Sequence, residues 1–482
     1  MSSQLPIRFW LAGEAVEGAR VVEVRSPHDG SLAGAYWEPG TDQVEAAVSA
    51  AVGGQRALAG TSAAGRAGAL DAISQGITAR AEEFAKTITA ECGKPLMWSR
   101  AEVRRAASTF RWAAEEARRW SGDLQRLDTD PAAVGRLAVV RRFPHGPVLG
   151  IAPFNFPLNL VAHKVAPAIA VGAPIVLKPA PATPLTALLL GDVMAEADLP
   201  AGAWSILPLG NVATAELVKD PRLPVISFTG SERVGYEIQA AVPRKHVVLE
   251  LGGNAAAVVL ADWGTGDDLD WAARRVATFG NYQAGQSCIS VQRVIVDECI
   301  YEPFVSRLVE KIANLRTGSP WDDEVVVGPM ISEQAAERVE SWVSEAADLG
   351  AQVLVGGQCR GAEMTPTLLV NAPRTARVST EEIFGPVMTV SSVQGSTEAF
   401  DLVNDSRFGL QAGVFTRDIQ TAFRAHSELE VGGVVIGDVP SFRADQMPYG
   451  GVKDSGVGRE GPFAAMTDLT YERVLVLTGL DL

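Results

Sequence analysis

Between Pro147 and Leu251 the chain reads PVLGIA (147–152), PIVLK (174–178), WSILPL (204–209), PVISF (224–228) and HVVLEL (246–251). The segments between them, PLNLVAHKVAPAIAVG, PLTALLLGDVMAEA, VATAELVKD and ERVGYEIQAAV, are each long enough for a helix. Short, nearly continuous apolar runs are strands buried on both faces, and their alternation with helices implies a parallel sheet covered on both sides. The prediction is an α/β fold whose doubly wound parallel sheet forms a nucleotide-binding domain. In such sheets ligands lie beyond the carboxyl ends of the strands, which tells where to look for function.

Outward from this block a second α/β alternation follows, with AAAVVLAD, SVQRVIVDE, QVLVGG and AGVFTRD as strands and WAARRVATF, EPFVSRLVEKIANL and EQAAERVESWVSEAADLG as helices. Trp263–Asp270, WGTGDDLD, reads as a loop. Residues 41–120 space their apolar side chains as helices do, with stops at Gly93-Lys94-Pro95 and Ser121-Gly122. Leu124–Phe143 turns extended and reads as a hairpin without a sequence neighbour to pair with. The terminal TYERVLVLTGLDL is an apolar strand whose open edge calls for a partner subunit.

At 482 residues there is too much chain for one core, and 47% hydrophobic residues leave no case for wholesale disorder. A net charge of -15 argues against binding nucleic acid or an anionic membrane surface. Phe143–Ala162 is uncharged and long enough to span a bilayer, yet its four prolines, with Asn155 and Asn159, exclude a lipid-exposed helix. Four scattered cysteines cannot staple a chain of this length, and no basic patch leads into an apolar leader, so the expectation is a cytoplasmic protein with free thiols.

Several residues could carry chemistry, each against a plainer alternative. Cys288, in GQSC, is a loop thiol among polar neighbours, a candidate nucleophile where most cysteines are inert hydrophobes. Glu250 ends a strand on the ligand side, suited to general-base work, where a single Glu is more often a surface or capping group. Asn155, between prolines in APFNFP, could donate to an oxyanion or only form a turn. Gly230-Ser231 opens a helix directly after PVISF, which suits a pyrophosphate or an ordinary capped turn. Lys178 closes a strand and could meet a ribose or phosphate, or simply be solvated. His and Cys spacing supports no metal site, and serine-hydrolase and P-loop motifs are missing from the sequence.

Taken in order, PFNFP, VLKPA, FTGSERVG, LELGG, GQSC, EEIFGPV and PYGGVKDSGVGREG resemble the motif set of the aldehyde dehydrogenase superfamily, from about Phe9 to the C-terminus. The resemblance implies a doubly wound cofactor domain (1–123 and 144–251), a second α/β catalytic domain (252–450) and a small β oligomerisation flap (124–143 and 468–482). It implies NAD or NADP as cofactor, a small-molecule aldehyde as substrate, and a homodimer or homotetramer. By motif position Cys288 is then the nucleophile, Glu250 the general base and Asn155 the oxyanion donor. The implied cofactor residues are Ile151, Ala152, Pro153, Phe154, Lys178, Pro181, Gly210, Phe228, Thr229, Gly230, Ser231, Val234, Leu251, Gly252, Glu382 and Phe384.

This sequence departs from many NAD-preferring relatives in placing Pro181 where they carry a Glu, which makes NADP admissible. DVPSFRADQMPYGG resembles the branch oxidising lactaldehyde, semialdehydes and phosphonoaldehydes. Arg443, Phe442, Phe156 and Arg104 are the expected substrate residues, with Arg105 beside them. Arg443 could grip an anionic tail or pair locally with Asp445. A reductive or CoA-acylating relative and a non-catalytic binding protein are the alternatives; the presence of both Glu250 and Cys288 weighs against each.

Overall fold

The structure, a computed structural model, describes residues 5–479 and 481. The leader reading at residues 1–4, and positions 480 and 482 of the terminal segment, lie outside them. The five expected strands form as β1 (Val148–Ile151), β2 (Ile175–Lys178), β3 (Trp204–Ile206), β4 (Val225–Thr229) and β5 (His246–Glu250). They pair in parallel in the order β3-β2-β1-β4-β5, so the winding reverses between β1 and β4. Two antiparallel edges extend this sheet: Phe9–Leu11 beside β3, and Gly456–Val457 beside β5. The second edge brings the chain back to the first sheet after it has built another.

That second sheet contains β6 (Ala256–Val259), β7 (Arg293–Asp297), β8 (Thr367–Val370), β9 (Val387–Val393), β10 (Gln411–Phe415) and β11 (Gly433–Ile436). They run parallel in the order β8-β9-β7-β6-β10-β11, with Gln352–Val355 antiparallel outside β8. The stretch read as a loop is a correction. Helix Gly266–Asn281 already begins inside it, because the Thr265 hydroxyl caps the helix by accepting from the Asp268 amide at 3.2 Å.

The expected hairpin forms from Asp123–Arg126 and Arg136–Pro144. The partner missing from its sequence neighbourhood is Thr470–Thr478 of the same chain, paired from Thr470 opposite Pro144 to Thr478 opposite Arg136. The other edge of this terminal strand stays open, and Val474, Leu475, Val476 and Leu477 are exposed. Among the described residues no helix is long and apolar enough to cross a membrane.

Two carboxylates from the N-terminal helical layer hold the crossover helices in place. Helix α1 (Leu96–Arg119) turns Val103, Ala106, Phe110, Ala113 and Ala117 inward at helical spacing. From that buried face Glu102 accepts from the amides of Leu158 (2.9 Å) and Asn159 (3.1 Å), at the start of α2 (Asn159–Val171), and pairs with buried Lys94. Glu91 likewise accepts from Leu185 (2.7 Å) and Thr186 (3.1 Å) at the start of α3 (Leu185–Ala195). A helix start leaves amides unpaired, so a buried carboxyl there satisfies donors; burial pushes the Glu91 carboxyl up to about 8, so its part is hydrogen bonding rather than charge. Glu102→Ala would strand the Lys94 charge and uncap α2. It is expected to cost about 3–5 kcal/mol in urea unfolding, with most of that loss recovered when Lys94→Met is added.

Candidate active site

The reversal between β1 and β4 opens a cavity of about 820 Å³ at the carboxyl ends of β1, β2 and β4. That volume falls in the usual range for a cofactor site. Ile151, Ala152, Pro153, Phe154, Lys178, Pro181, Phe228, Thr229, Gly230, Ser231, Val234, Leu251, Gly252, Glu382 and Phe384 all line it. Gly210 does not, and this corrects the expectation: it caps helix Asn211–Lys219 with its carbonyl committed to Thr214, and Asn211 reaches the cavity instead.

Helix α4 (Glu232–Ala241) points its N-terminus into this space. Ser231 stands at the capping position but makes no side-chain capping bond, which leaves the first-turn amides for an anionic ligand. A Cβ on Gly230 would lie 2.5 Å from the Phe228 ring, so the close turn needs glycine. On the far wall the Gly253 amide donates to Glu382 at 3.0 Å, and a Cβ on Gly252 would strike the same carboxyl at 2.5 Å. Burial pushes Glu382 up to about 7. The loop carrying Glu382 and Phe384 is clamped by Gln292, whose amide donates to the Glu381 carbonyl (2.6 Å) and whose oxygen accepts from Ile383 N (3.0 Å). Phe384 meets the Phe154 ring edge-on, centroids 5.8 Å apart. At the other end Lys178 is buried, which pushes it down to about 8, and Pro181 offers no carboxylate. A long cavity with amide donors in the middle, a cation at one end and a carboxyl at the other fits NAD or NADP.

Cys288 lines the inner end of this cavity and also a second one of about 40 Å³, so the thiol stands between the two. Asn155 shares the first space with it; its amide donates to the Gln286 carbonyl at 3.0 Å, tying the β1 loop to the cysteine loop. Glu250, at the end of β5, shares the second space and is buried with both carboxyl oxygens unbonded. Burial, with the charge of Glu460 adding to it, raises Glu250 well above the ordinary carboxylate range. Burial likewise pushes Cys288 up to about 12, although a hydrogen bond to Tyr449 works the other way. The three residues expected to act together are brought together.

The small cavity is also lined by Phe156, Arg105, Tyr282, Ser441, Arg443, Tyr449 and Glu460. Two substrate expectations are corrected here. Arg104 is exposed on another face of α1, and it is Arg105, one residue on, that lines the space. Phe442 points outward at 49% exposure, whereas Ser441 lines the cavity. Arg443 does line it, but its ion pair is with Glu460 at 3.1 Å. Asp445 instead accepts from Arg105 at 2.8 Å and lies 3.2 Å from His163 Nε2. Tyr449 and Glu460 were missed, although both lie inside PYGGVKDSGVGREG.

A dinucleotide-sized cavity ending on a thiol, with a carboxyl and an amide beside it, has the parts of a nucleotide-dependent oxidoreductase working through covalent cysteine chemistry. The aldehyde dehydrogenase family pattern matches residues 13–475. A 3-sulfolactaldehyde dehydrogenase of Priestia aryabhattai is 43% identical over 402 residues, 83% of each chain. The crystal structure of aldehyde dehydrogenase 21 from Physcomitrella patens, in complex with the reaction product succinate, superposes with a TM-score of 0.97 at 41% identity, covering 99% of this chain and 100% of that one. An NADP-dependent glyceraldehyde-3-phosphate dehydrogenase from Bacillus halodurans, complexed with NADP, gives 0.94 at 32% identity, covering 98% of this chain and 100% of that one. The chain belongs to the aldehyde dehydrogenase family and is an NAD(P)-dependent aldehyde dehydrogenase.

Burial pushes Lys178 down to about 8, which favours loss of its charge as pH rises. Affinity for NADP, read by protein fluorescence quenching, is therefore expected to weaken as pH rises through 8, more than affinity for NAD. Lys178→Met is expected to remove that difference.

Proposed function

We propose that the chain oxidises a small anionic aldehyde to a carboxylic acid, with Cys288 as nucleophile, Glu250 as general base and Asn155 as oxyanion donor. Cys288 as thiolate adds to the carbonyl carbon and the oxygen takes the negative charge. Asn155 has two amide hydrogens; Gln286 takes one, and the other, with the Cys288 backbone N–H, serves that oxygen. NAD or NADP held in the larger cavity would supply hydride acceptance, and Cys288 would then hold the acyl group as a thioester. Glu250 then takes a proton from water, the water attacks the acyl carbon, and the acid leaves as the C–S bond breaks.

The observation that carries the substrate class is the pair of guanidinium groups lining the small cavity beyond the thiol. Asp445 takes the Nε and Nη2 edge of Arg105, leaving Nη1 for a ligand, and the Nε of Arg443 is buried with no partner. A space of about 40 Å³ admits only a short tail. The sulfolactaldehyde relative and the succinate-bound structure both concern short acids with a terminal anion, which supports the reading.

The division into a cofactor domain (1–123, 144–251), a catalytic domain (252–450) and a flap (124–143, 468–482) is part of the same proposal, with 451–467 returning to the cofactor side through Gly456–Val457. The open, apolar edge of Thr470–Thr478 supports association into a homodimer or homotetramer. The four free thiols suit a reducing, cytoplasmic setting.

Cys288→Ala is expected to abolish NAD(P)H formation; full turnover in that variant would remove the mechanism. Because Glu250 must lose a proton to act, hydrolytic release is expected to speed up with pH, and Glu250→Gln to slow it by about 10²–10⁴ and flatten that limb. Arg105→Gln is expected to raise KM about tenfold or more for succinic semialdehyde, the size of a lost charge-assisted hydrogen bond. It should leave KM for propanal near its original value, and equal losses on both would defeat the anion reading.

A further inference from the structure

The Cys288 sulfur lies 3.0 Å from the hydroxyl of Tyr449, a contact with no part in the chemistry above. Several constraints hold that hydroxyl in place. Tyr449 is buried, and its backbone is bridged to Glu460 in both directions, with Tyr449 N donating to Glu460 O at 3.0 Å and Glu460 N to Tyr449 O at 2.6 Å. The Arg443 guanidinium lies 3.9 Å from the centre of the tyrosine ring, and Glu460 fixes that guanidinium from the other side at 3.1 Å. A cation against the ring face draws electron density from it and makes its O–H a better donor.

We propose that Tyr449 is the hydrogen-bond donor that stabilises the Cys288 thiolate, with Arg443 and Glu460 as the residues that position it. The inference rests on reading Cys288 as the nucleophile. In the resting thiol either atom can donate; once the sulfur has given its proton to solvent, only the tyrosine can. Tyr449 does not give up its own proton, since burial raises it well above its ordinary value. The hydroxyl therefore supplies, at fixed geometry, what a thiol taken out of water lacks: a donor aimed at the developing charge. Arg443 gains a second role, since it faces the substrate cavity and also braces the tyrosine.

The test is the pH dependence of alkylation at Cys288 by iodoacetamide, an uncharged reagent that makes no use of a substrate anion site. It is followed by mass spectrometry on the peptide bearing Cys288, in the unaltered protein and in Tyr449→Phe. The variant removes one oxygen, and an unchanged thermal midpoint shows that the fold is kept. The alkylation profile is expected to move to higher pH, with the rate at pH 7 falling about tenfold, the size of a hydrogen bond to a charged group. kcat/KM for propanal should fall by a similar factor while KM for the cofactor holds. Superimposable alkylation profiles would overturn the proposal, as would faster alkylation in Tyr449→Phe, which would mean that the hydroxyl masks the sulfur. Should Cys288→Ala retain turnover, the nucleophile reading fails, while the alkylation shift still reports on the hydrogen bond itself.

Discussion

Lys164, Arg443 and Glu460 are all taken out of water around the Glu250 carboxyl, and the site is arranged around that constraint. Each buried ion costs several kcal/mol of lost hydration, which only close partners can offset. Glu460 has them: Lys164 Nζ at 3.6 Å, Arg443 Nη2 at 3.1 Å and the Thr229 hydroxyl at 3.2 Å. Burial works against its charge, yet Lys164 and Arg443 outweigh burial and hold the carboxyl at about 2. Glu250 shares the cluster without bonded partners for its oxygens, so burial and the Glu460 charge push it the other way. Two carboxyls in one pocket are thereby driven apart, one held as an anion that fixes cations, the other raised well above the ordinary carboxylate range.

The backbone carries its own constraint around the same point. Gln283 (φ 42°), Ala284 (φ 57°), Phe384 (φ 47°) and Lys453 (φ 52°) are non-glycine residues in the left-handed region, which costs each of them conformational energy. The first two shape the loop into Cys288, and Phe384 closes the cofactor cavity. Lys453 sits in the glycine-rich turn after Tyr449, where its amino group donates to the Asn404 carbonyl at 2.9 Å. Such conformations persist where surrounding bonds over-determine them. Around the cysteine loop these are Asn155 on Gln286 O at 3.0 Å, Gln283 on the same carbonyl at 2.9 Å, and Ile331 N on the Gln286 side chain at 2.8 Å.

What was legible in the sequence follows from which interactions are local. β1 to β5 could be read because burial on both faces leaves an uninterrupted apolar run, and the strand-end rule then put Asn155, Glu250 and the Gly230 turn on one side. Helix Gly266–Asn281 was cut short because its first turn, GDDLD, looks like loop; Thr265 capping and acidic residues at a helix start were the overlooked signal. Glu91 and Glu102 gave no signal, because nothing within a helical stretch tells that its carboxylates face two amides more than fifty residues away. Arg104 and Arg105 are neighbours, and only the rotation of α1 against α2 decides which one reaches the cavity.

Arg443 shows why the partner of a buried cation cannot be read from sequence distance alone. In sequence its nearby acid is Asp445, yet in space Asp445 meets Arg105, Asn159 and His163, and Arg443 pairs with Glu460, with His163 Nε2 between the two at 3.1 Å from Arg443 Nη2. The exchange of partners has a consequence for substrate recognition. A guanidinium held between Glu460 and the Tyr449 ring is buried and cannot swing toward ligands of different length, whereas Arg105 is partly exposed at the rim and braced on one edge only. On the proposal that the substrate is an anionic aldehyde, recognition would divide by reach, with Arg443 as the fixed donor at depth and Arg105 as the adjustable contact. Under the same proposal, fixed charge at depth and an adaptable donor at the rim would let one pocket hold short acids whose anions differ in shape without moving the sulfur, the carboxyl or the amide.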